Sequence, residues 1–294
     1  MSQSATARDG VLLERENVVY FDTRALAWEP LPGRPGARRK VLTRDAQGAP
    51  RAFLFHLPPG FAPAGLPQRH THRSVTELTL ALAGELPQWE YLDAGQQHGT
   101  LVRQRPGYVV HRRPGSLHGL EPGPRTTVGF TGLMIRTGSG TASDEPGFAE
   151  ETVDVPYAAA WQPAADAVEA RPEPGSGIVI DRPGVSIIDS EAQGWTEPGR
   201  YGCSKVLARD AAGSPLLTMQ HVNPDFALPG HPERHSHPHD EHNFMLWGEF
   251  TIAEFERGGG PGRRMLMKAG CFAQRRAGDI HGLVTGPGGT VDET

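Results

Sequence analysis

The sequence is poor in cysteine, with only Cys203 and Cys271 among 294 residues. The two do not occupy equivalent positions of the internal repeat described below, and they are too few for a disulfide framework. A thiolate zinc site, which needs clustered cysteines, is not indicated either. At most one disulfide could join them, so a bound metal would have to rely on other side chains.

Long hydrophobic runs and an excess of one charge are also missing. No stretch approaches the roughly 20 apolar residues that span a membrane, and the opening MSQSATARDG lacks the apolar core of a signal peptide. The 29 Lys and Arg residues oppose 34 Asp and Glu residues, so no basic surface for nucleic acid is predicted. We expect a cytoplasmic protein without membrane or nucleic-acid partners.

Glycine and proline, in contrast, are abundant, at 37 and 27 residues. Both punctuate the chain with turns. The apolar runs between them are short, as in FLFHL, ELTLALAG and EFTIAEF. This spacing predicts an all-β fold of antiparallel barrels or jelly rolls rather than a parallel α/β sheet.

An internal repeat covers nearly the whole chain. Residues 10–28 match residues 177–195, and VLTRDAQGAP beginning at Val41 matches VLARDAAGSP beginning at Val206. Duplication of one folded unit followed by small loop deletions produces such a pattern.

The repeat predicts two barrels joined by a linker. The N-terminal barrel covers residues 1–137, a linker rich in Gly, Pro and Ala covers 138–176, and the C-terminal barrel covers 177–294. One short helix is expected in the linker around residues 158–170. The second repeat has no counterpart of TTVGFTGLMIRTG, so we predict that residues 11–21, or a second copy in a homo-oligomer, supply the missing edge strand.

Each repeat carries the same pattern of candidate metal ligands: an HxH pair, a glutamate, and a third histidine after a glycine turn. The candidates are His70, His72, Glu77 and His118 in the first repeat, and His235, His237, Glu241 and His281 in the second. On a strand, the two histidines of an HxH pair point to the same face. Three imidazoles and one carboxylate suit a divalent transition metal and leave positions open for water, substrate or oxygen.

The alternative is that these histidines, among 13 in the chain, come together by chance on the surface or in the core. Two full sets in the same order and with near-identical spacing favour the metal sites. In the second set Asp240 is a competing carboxylate. Glu241 is preferred because six residues separate it from Gly248, as six residues separate Glu77 from Gly84.

With these motifs the chain resembles a bicupin of the cupin superfamily. The family pattern G(X)5HXH(X)3,4E(X)6G is met over residues 70–84 and 235–248, and G(X)5PXG(X)2H over residues 107–118 and 270–281. The pattern is not met at two points. Only four residues separate the opening glycines, Gly65 and Gly230, from the first histidine, and Arg113 and Arg276 replace the proline. They leave the ligand positions intact.

The resemblance implies two tandem jelly-roll cupin domains with up to two divalent metal ions per chain. Fe2+ or Mn2+ is favoured, and Ni2+, Zn2+, Co2+ and Cu2+ are compatible. We expect an oxidoreductase, a dioxygenase that uses O2 on a small aromatic or enol-type substrate. The alternatives are an oxygen-independent decarboxylase, lyase or isomerase that uses the metal as a Lewis acid, and a metal-dependent small-molecule binding protein.

The positions that alternate with each glutamate are predicted to face a substrate pocket. They are Thr79, Ala81 and Ala83 in the first barrel, and Asn243, Met245 and Trp247 in the second. The smaller side chains predict a roomier first site that takes the substrate and a more filled second site. The alternative is that they merely repack two equivalent cores.

Two further repeated pairs are candidates for chemistry. His56 and His221 could orient a ligand or act as acid or base beside Glu77, the candidate base. They could equally be structural histidines kept from the duplicated ancestor. Arg112 and Arg275 could receive an anionic substrate group, although such arginines are more often solvated strand residues or turn anchors.

Overall fold

The structure is a computed structural model and is all-β. It describes residues 9–61, 68–122, 126–138, 152–154, 169–197, 202–222, 234–256 and 262–283. Across these ranges every regular element is a strand, and none is a helix that could cross a membrane. Residues 158–168 of the helix predicted in the linker lie outside the described residues.

The strands follow the short apolar runs of the sequence. In chain order they are β1 (Val11–Arg15), β2 (Val18–Asp22), β3 (Glu29–Pro30), β4 (Arg38–Arg44), β5 (Pro50–Leu57), β6 (Gln68–His72), β7 (Thr76–Gly84), β8 (Leu86–Tyr91), β9 (Thr100–Gln104), β10 (Tyr108–Arg112), β11 (Leu117–Leu120), β12 (Phe130–Thr137), β13 (Thr152–Asp154), β14 (Ile178–Arg182), β15 (Val185–Asp189), β16 (Gly202–Arg209), β17 (Pro215–Val222), β18 (Glu241–Phe244), β19 (Glu249–Phe255), β20 (Arg263–Lys268), β21 (Cys271–Arg275) and β22 (Ile280–Leu283).

The duplicated RDAxGxP segments form the same turn in both repeats. Between β4 and β5, the Asp45 side chain accepts hydrogen bonds from the backbone N–H groups of Gln47 (2.9 Å) and Ala49 (2.8 Å). Asp210 accepts the two corresponding bonds between β16 and β17, at 2.9 and 2.8 Å. Gly48 provides the positive φ of 87° that this turn requires.

The larger of two compact units comprises Trp28–Glu197 and Cys203–Gln220. It contains an eight-stranded sheet in the order β14-β15-β10-β7-β12-β5-β4-β3 and a five-stranded sheet in the order β13-β6-β11-β8-β9. Alternating apolar side chains from the larger sheet fill a core that includes Phe53, Phe55, Val110, Phe130 and Ile187.

The smaller unit comprises Met1–Ala27, Pro198–Gly202 and His221–Thr294. Its described strands form one sheet in the order β1-β2-β21-β18 and another in the order β20-β19-β22. Leu13, Val18 and Tyr20 of the N-terminal hairpin are buried in its core with Met265 and Ala273.

The N-terminal hairpin β1–β2 and its repeat counterpart β14–β15 each belong to the unit built mainly from the other repeat. Strand β2 pairs with β21 in the smaller unit, and β15 pairs with β10 in the larger one. The compact units therefore do not coincide with the predicted ranges 1–137 and 177–294. The reason is that each hairpin pairs with a strand of the other repeat, β2 with β21 and β15 with β10.

The missing edge strand of the second barrel was predicted to come from residues 11–21. Strand β2 does join the C-terminal strands, but beside β21, in the position that β15 holds beside β10. In the first repeat β12 lies between β7 and β5. Within the described residues β18 pairs only with β21, so the hairpin does not take the place of a β12 counterpart.

Candidate metal centre

The first histidine cluster is assembled by two neighbouring strands. His70 and His72 lie two residues apart on β6 and therefore share a face, and His118 on β11 lies directly opposite His70. One ring nitrogen from each of the three histidines lies within 4.8 Å of the other two. The glycine turn of the second motif secures the pair of strands, because Gly115 N–H donates a 2.8 Å hydrogen bond to the His72 carbonyl oxygen.

Glu77 reaches the same cluster from β7. Its Oε1 lies 3.3 Å from His72 Nε2, and its Oε2 lies 3.5 Å from His118 Nε2. Arg136, opposite Glu77 on β12, donates to Oε1 from Nη2 at 3.0 Å. Burial alone raises the pKa of Glu77, but His72 and Arg136 outweigh it and hold that pKa well below its ordinary value.

Two histidines of this cluster, His70 and His118, have lowered pKa values and are therefore neutral at pH 7. Burial first, and then the neighbouring His72, lower the pKa of His70 to about 4. Burial and Arg112 likewise hold the pKa of His118 well below its usual value. The Nδ1 atoms of His70 and His118 each lie 3.2 Å from a backbone carbonyl oxygen two residues earlier. Donation from Nδ1–H leaves each Nε2 lone pair available for a metal.

The second cluster repeats this construction in the smaller unit. His235 and His281 exchange backbone hydrogen bonds of 2.9 and 3.0 Å, and their side chains join that of His237 with ligand atoms within 4.8 Å. Gly278 N–H donates to the His237 carbonyl oxygen at 2.8 Å, as Gly115 does to His72. The second glycine motif thus has the same structural role in both repeats.

Glu241, rather than Asp240, is the carboxylate beside the second cluster. Its Oε2 lies 3.3 Å from His281 Nε2 and 3.0 Å from Arg275 Nη1. Asp240 instead accepts a 3.0 Å hydrogen bond from the Ala277 backbone N–H. Burial raises the pKa of Glu241, but Arg275 and His281 lower it by more.

Both donor sets fit a divalent metal ion, since three imidazoles converge next to a carboxylate whose pKa is lowered. Their exposure differs. The Glu77 side chain is 4% exposed and the Glu241 side chain 28% exposed. His235 is exposed, while His72 and His118 are buried. The exposure of the ligands does not measure the room in a pocket, so the roomier first site and the more filled second site stay a prediction.

The residues predicted to line the pockets divide into buried and exposed positions. Thr79 and Ala81 are buried on β7, but Ala83 is exposed because a bulge in the pairing with β12 breaks the alternation before it. In the smaller unit Asn243 and Met245 are half-buried. Trp247 is 50% exposed, because β18 has already ended at Phe244. The interior position predicted for Ala83 and Trp247 is therefore corrected.

Arg112 and Arg275 are buried ion-pair partners rather than solvated strand residues. Arg112 Nε lies 3.1 Å from Glu90 Oε1, and its Nη1 lies 3.9 Å from Glu77. Arg275 Nε lies 2.8 Å from Glu254 Oε1. Each arginine thus links a candidate metal ligand to a second buried carboxylate.

His56 and His221 are not members of the histidine clusters. His56 Nδ1 lies 3.0 Å from Thr131 Oγ1, and Thr131 pairs with Ala83, six residues along β7 from Glu77. Six strand residues span roughly 20 Å, so His56 is too far to act on a ligand at Glu77. His221 is exposed at the end of β17.

Four residues beside the clusters were not predicted from the sequence: Glu90, Glu254, Arg136 and Tyr20. Glu90 and Glu254 occupy matching places in the repeat, so a comparison of the two halves could have found them. Arg136 and Tyr20 have no counterpart of the same type, and only strand pairing brings them to the sites.

No protein-family model and no curated protein matches the chain, but solved structures share its fold. An oxalate decarboxylase variant from Bacillus subtilis is 14% identical, with a TM-score of 0.55 over 89% of this chain and 72% of that chain. A Lactobacillus farciminis oxalate decarboxylase is 14% identical, with a TM-score of 0.53 over 90% and 82%. A protein from Pseudomonas aeruginosa described as glyoxylate-induced is 13% identical, with a TM-score of 0.55 over 96% and 89%.

The fold is a cupin fold. The expected all-β class with tandem jelly-roll domains is thereby confirmed. The TM-score of 0.55 supports the shared fold, and identities of 13–14% leave the reaction open.

Proposed function

We propose that this chain is a metal-dependent enzyme of the cupin type that acts on a small organic substrate at the first histidine cluster. The observation that carries the proposal is the convergence of three imidazoles and one buried, ionised carboxylate on one point. The ligands would be His70, His72, His118 and Glu77. Fe2+ or Mn2+ is the preferred ion, and Ni2+, Zn2+, Co2+ and Cu2+ are compatible with the donors.

When bound, such an ion supplies Lewis acidity and, if it is redox-active, electron transfer. The protein supplies the rest. Carbonyl groups at Nδ1 orient two of the imidazoles, and Arg136 keeps Glu77 ionised as a ligand. Burial of these side chains excludes water, which strengthens every charge interaction at the site.

The charges around this cluster favour an anionic substrate. Arg112 and Arg136 carry two positive charges, and Glu77 and Glu90 carry two negative ones, all on buried side chains. The four charges balance, so a divalent cation added to this set leaves a net positive site. A carboxylate or an enolate oxygen of the substrate would neutralise that charge.

For the reaction, we propose two classes. A dioxygenase acting on an aromatic or enol-type substrate is supported by a donor set that leaves metal positions open. An oxygen-independent decarboxylase, lyase or isomerase is supported by the low pKa of Glu77, because a carboxylate held by Arg136 is a weak general base. The shared fold of the oxalate decarboxylases favours the same alternative.

The test uses purified full-length protein that is stripped with a chelator and reloaded with Fe2+ or Mn2+. Oxygen uptake with catechols, flavonols and β-diketones identifies a dioxygenase. Release of CO2 from small dicarboxylates under anaerobic conditions identifies a decarboxylase. Ligand binding without turnover of any substrate in either panel would instead indicate a binding protein.

Two matched variants assign the reaction to a cluster. We expect Glu77→Gln to lower kcat/KM at least 100-fold, since it removes the charged ligand, and Glu241→Gln to retain most of it. The opposite result would assign the reaction to the second cluster.

A further inference from the structure

We propose that Tyr20 is a positioning residue of the second histidine cluster, where it holds Arg275 against Glu241. This inference rests on the proposed function, because it extends metal binding from the first cluster to the second, with Glu241 as a ligand there. Tyr20 lies on the N-terminal hairpin, more than 200 residues from the histidines in sequence. No ligand motif includes it.

The contacts form a continuous chain from the buried Tyr20 to Glu241. The Tyr20 hydroxyl donates to Glu254 Oε1 and accepts from Arg275 Nη2. Arg275 Nη1 donates to Glu241 Oε2 at 3.0 Å, and that oxygen lies 3.3 Å from His281 Nε2. The side chain of Tyr20 thus reaches the metal-ligand set through a single intervening residue.

The hydroxyl performs a role that a hydrocarbon cannot replace. Tyr20, Arg275 and Glu254 are each at most 1% exposed, so no water can take over a lost hydrogen bond. Burial raises the pKa of Tyr20, which therefore keeps its proton for Glu254. With the hydroxyl and Glu254 in place, two of the three guanidinium nitrogens are bound away from Glu241, and the third is directed to it.

The glutamate of the first cluster is positioned differently. Ile187 occupies the position of Tyr20 in the repeat, opposite Val110 as Tyr20 is opposite Ala273. There Glu77 is held by Arg136 from β12 instead. Substitution of Tyr20 should therefore alter only the second cluster.

The experiment measures Co2+ binding to full-length protein in which His70→Ala and His72→Ala disable the first cluster. In this background, Tyr20→Phe removes one oxygen atom and keeps the ring in the core. We expect Co2+ affinity, by isothermal titration calorimetry, to fall about tenfold or more, the range for groups that orient metal ligands. The visible absorption of bound Co2+ should also change, because it reports the ligand geometry.

Two control variants separate positioning from packing. Leu13→Ala trims a buried side chain of the same hairpin without touching the hydroxyl chain, and Tyr91→Phe removes another buried hydroxyl, whose 2.6 Å bond goes to Glu121. Both should keep the Co2+ affinity and spectrum of the background protein. Circular dichroism and melting curves establish that each variant is folded.

Unchanged Co2+ affinity and spectrum in Tyr20→Phe would overturn the inference. So would an equal loss of affinity in Leu13→Ala, since packing of the hairpin would then explain both. If the background protein with intact Tyr20 binds no Co2+, the metal site itself fails, and that result is obtained before Tyr20 is altered.

Discussion

At the scale of the residue, the first cluster depends on a charge that lies outside the ligand pattern. Arg136 binds the buried Glu77 from β12. Removing one partner of a buried ion pair leaves an uncompensated charge, which is far more costly than the pair is favourable.

We therefore predict that Arg136→Met lowers the free energy of unfolding of the metal-free protein by about 3 kcal/mol at pH 7. The depressed pKa of Glu77 means that its contribution is present above the unfolded-state pKa and is lost as the pH falls through the folded-state pKa. Loss of Arg136 raises that pKa, so Glu77 takes up a proton sooner in the variant. The difference in the free energy of unfolding between the variant and the wild type should become smaller as the pH falls toward 4. Urea unfolding at several pH values measures it.

Arg103→Met is the matched control. Arg103 pairs with Glu85 at 2.9 Å, but both side chains are more than one fifth exposed. Such a pair contributes about 1 kcal/mol or less. Equal losses in the two variants would contradict the special role of Arg136.

At the scale of the element, the first cluster requires close approach of β6 and β11. Gly119 follows His118 on β11 and lies opposite Arg69 on β6. A Cβ atom added there would overlap the Gln68 carbonyl oxygen and lie 2.9 Å from Arg69 Cα. Because backbone atoms form this contact, no side-chain rotation can relieve it.

Gly119→Ala should thus separate the two strands and move His118 away from His70. We predict at least tenfold weaker Co2+ binding at the first cluster, measured by titration calorimetry. Gly48→Ala is the control, since a Cβ atom there meets nothing within 4 Å, and only its positive φ of 87° opposes the substitution. It should cost about 1 kcal/mol of stability and leave Co2+ binding unchanged.

At the scale of the whole molecule, the N-terminal hairpin is a structural part of the smaller unit. Strand β2 pairs along the full length of β21, and Leu13, Val18 and Tyr20 lie in the core. Burial of each such side chain contributes about 1.5–3 kcal/mol, against a typical total stability of 5–15 kcal/mol.

Deletion of residues 1–22 should therefore unfold the smaller unit. Hydrogen exchange measured by mass spectrometry should show loss of protection in β21. Strand β10, which pairs with β15 and β7 in the larger unit, should keep its protection and serve as the internal reference. Undiminished protection of β21 would show that the hairpin is dispensable.

The sequence by itself determined the β class, the duplication and the eight candidate ligands. These features depend on local spacing: an HxH pair on a strand places both histidines on one face whatever surrounds them, and glycine-rich turns specify where strands end. The prediction of two histidine clusters could thus be made without any long-range contact, and the structure brings both together.

Tertiary structure alone decided which distant residues complete each cluster. Arg136 reaches Glu77 through the pairing of β12 with β7, and Tyr20 reaches Arg275 through the pairing of β2 with β21. The bulge that exposes Ala83 also depends on the partner strand. Strand pairing is selected by the packing of the whole core, so residues far apart in sequence meet in ways that no local pattern records.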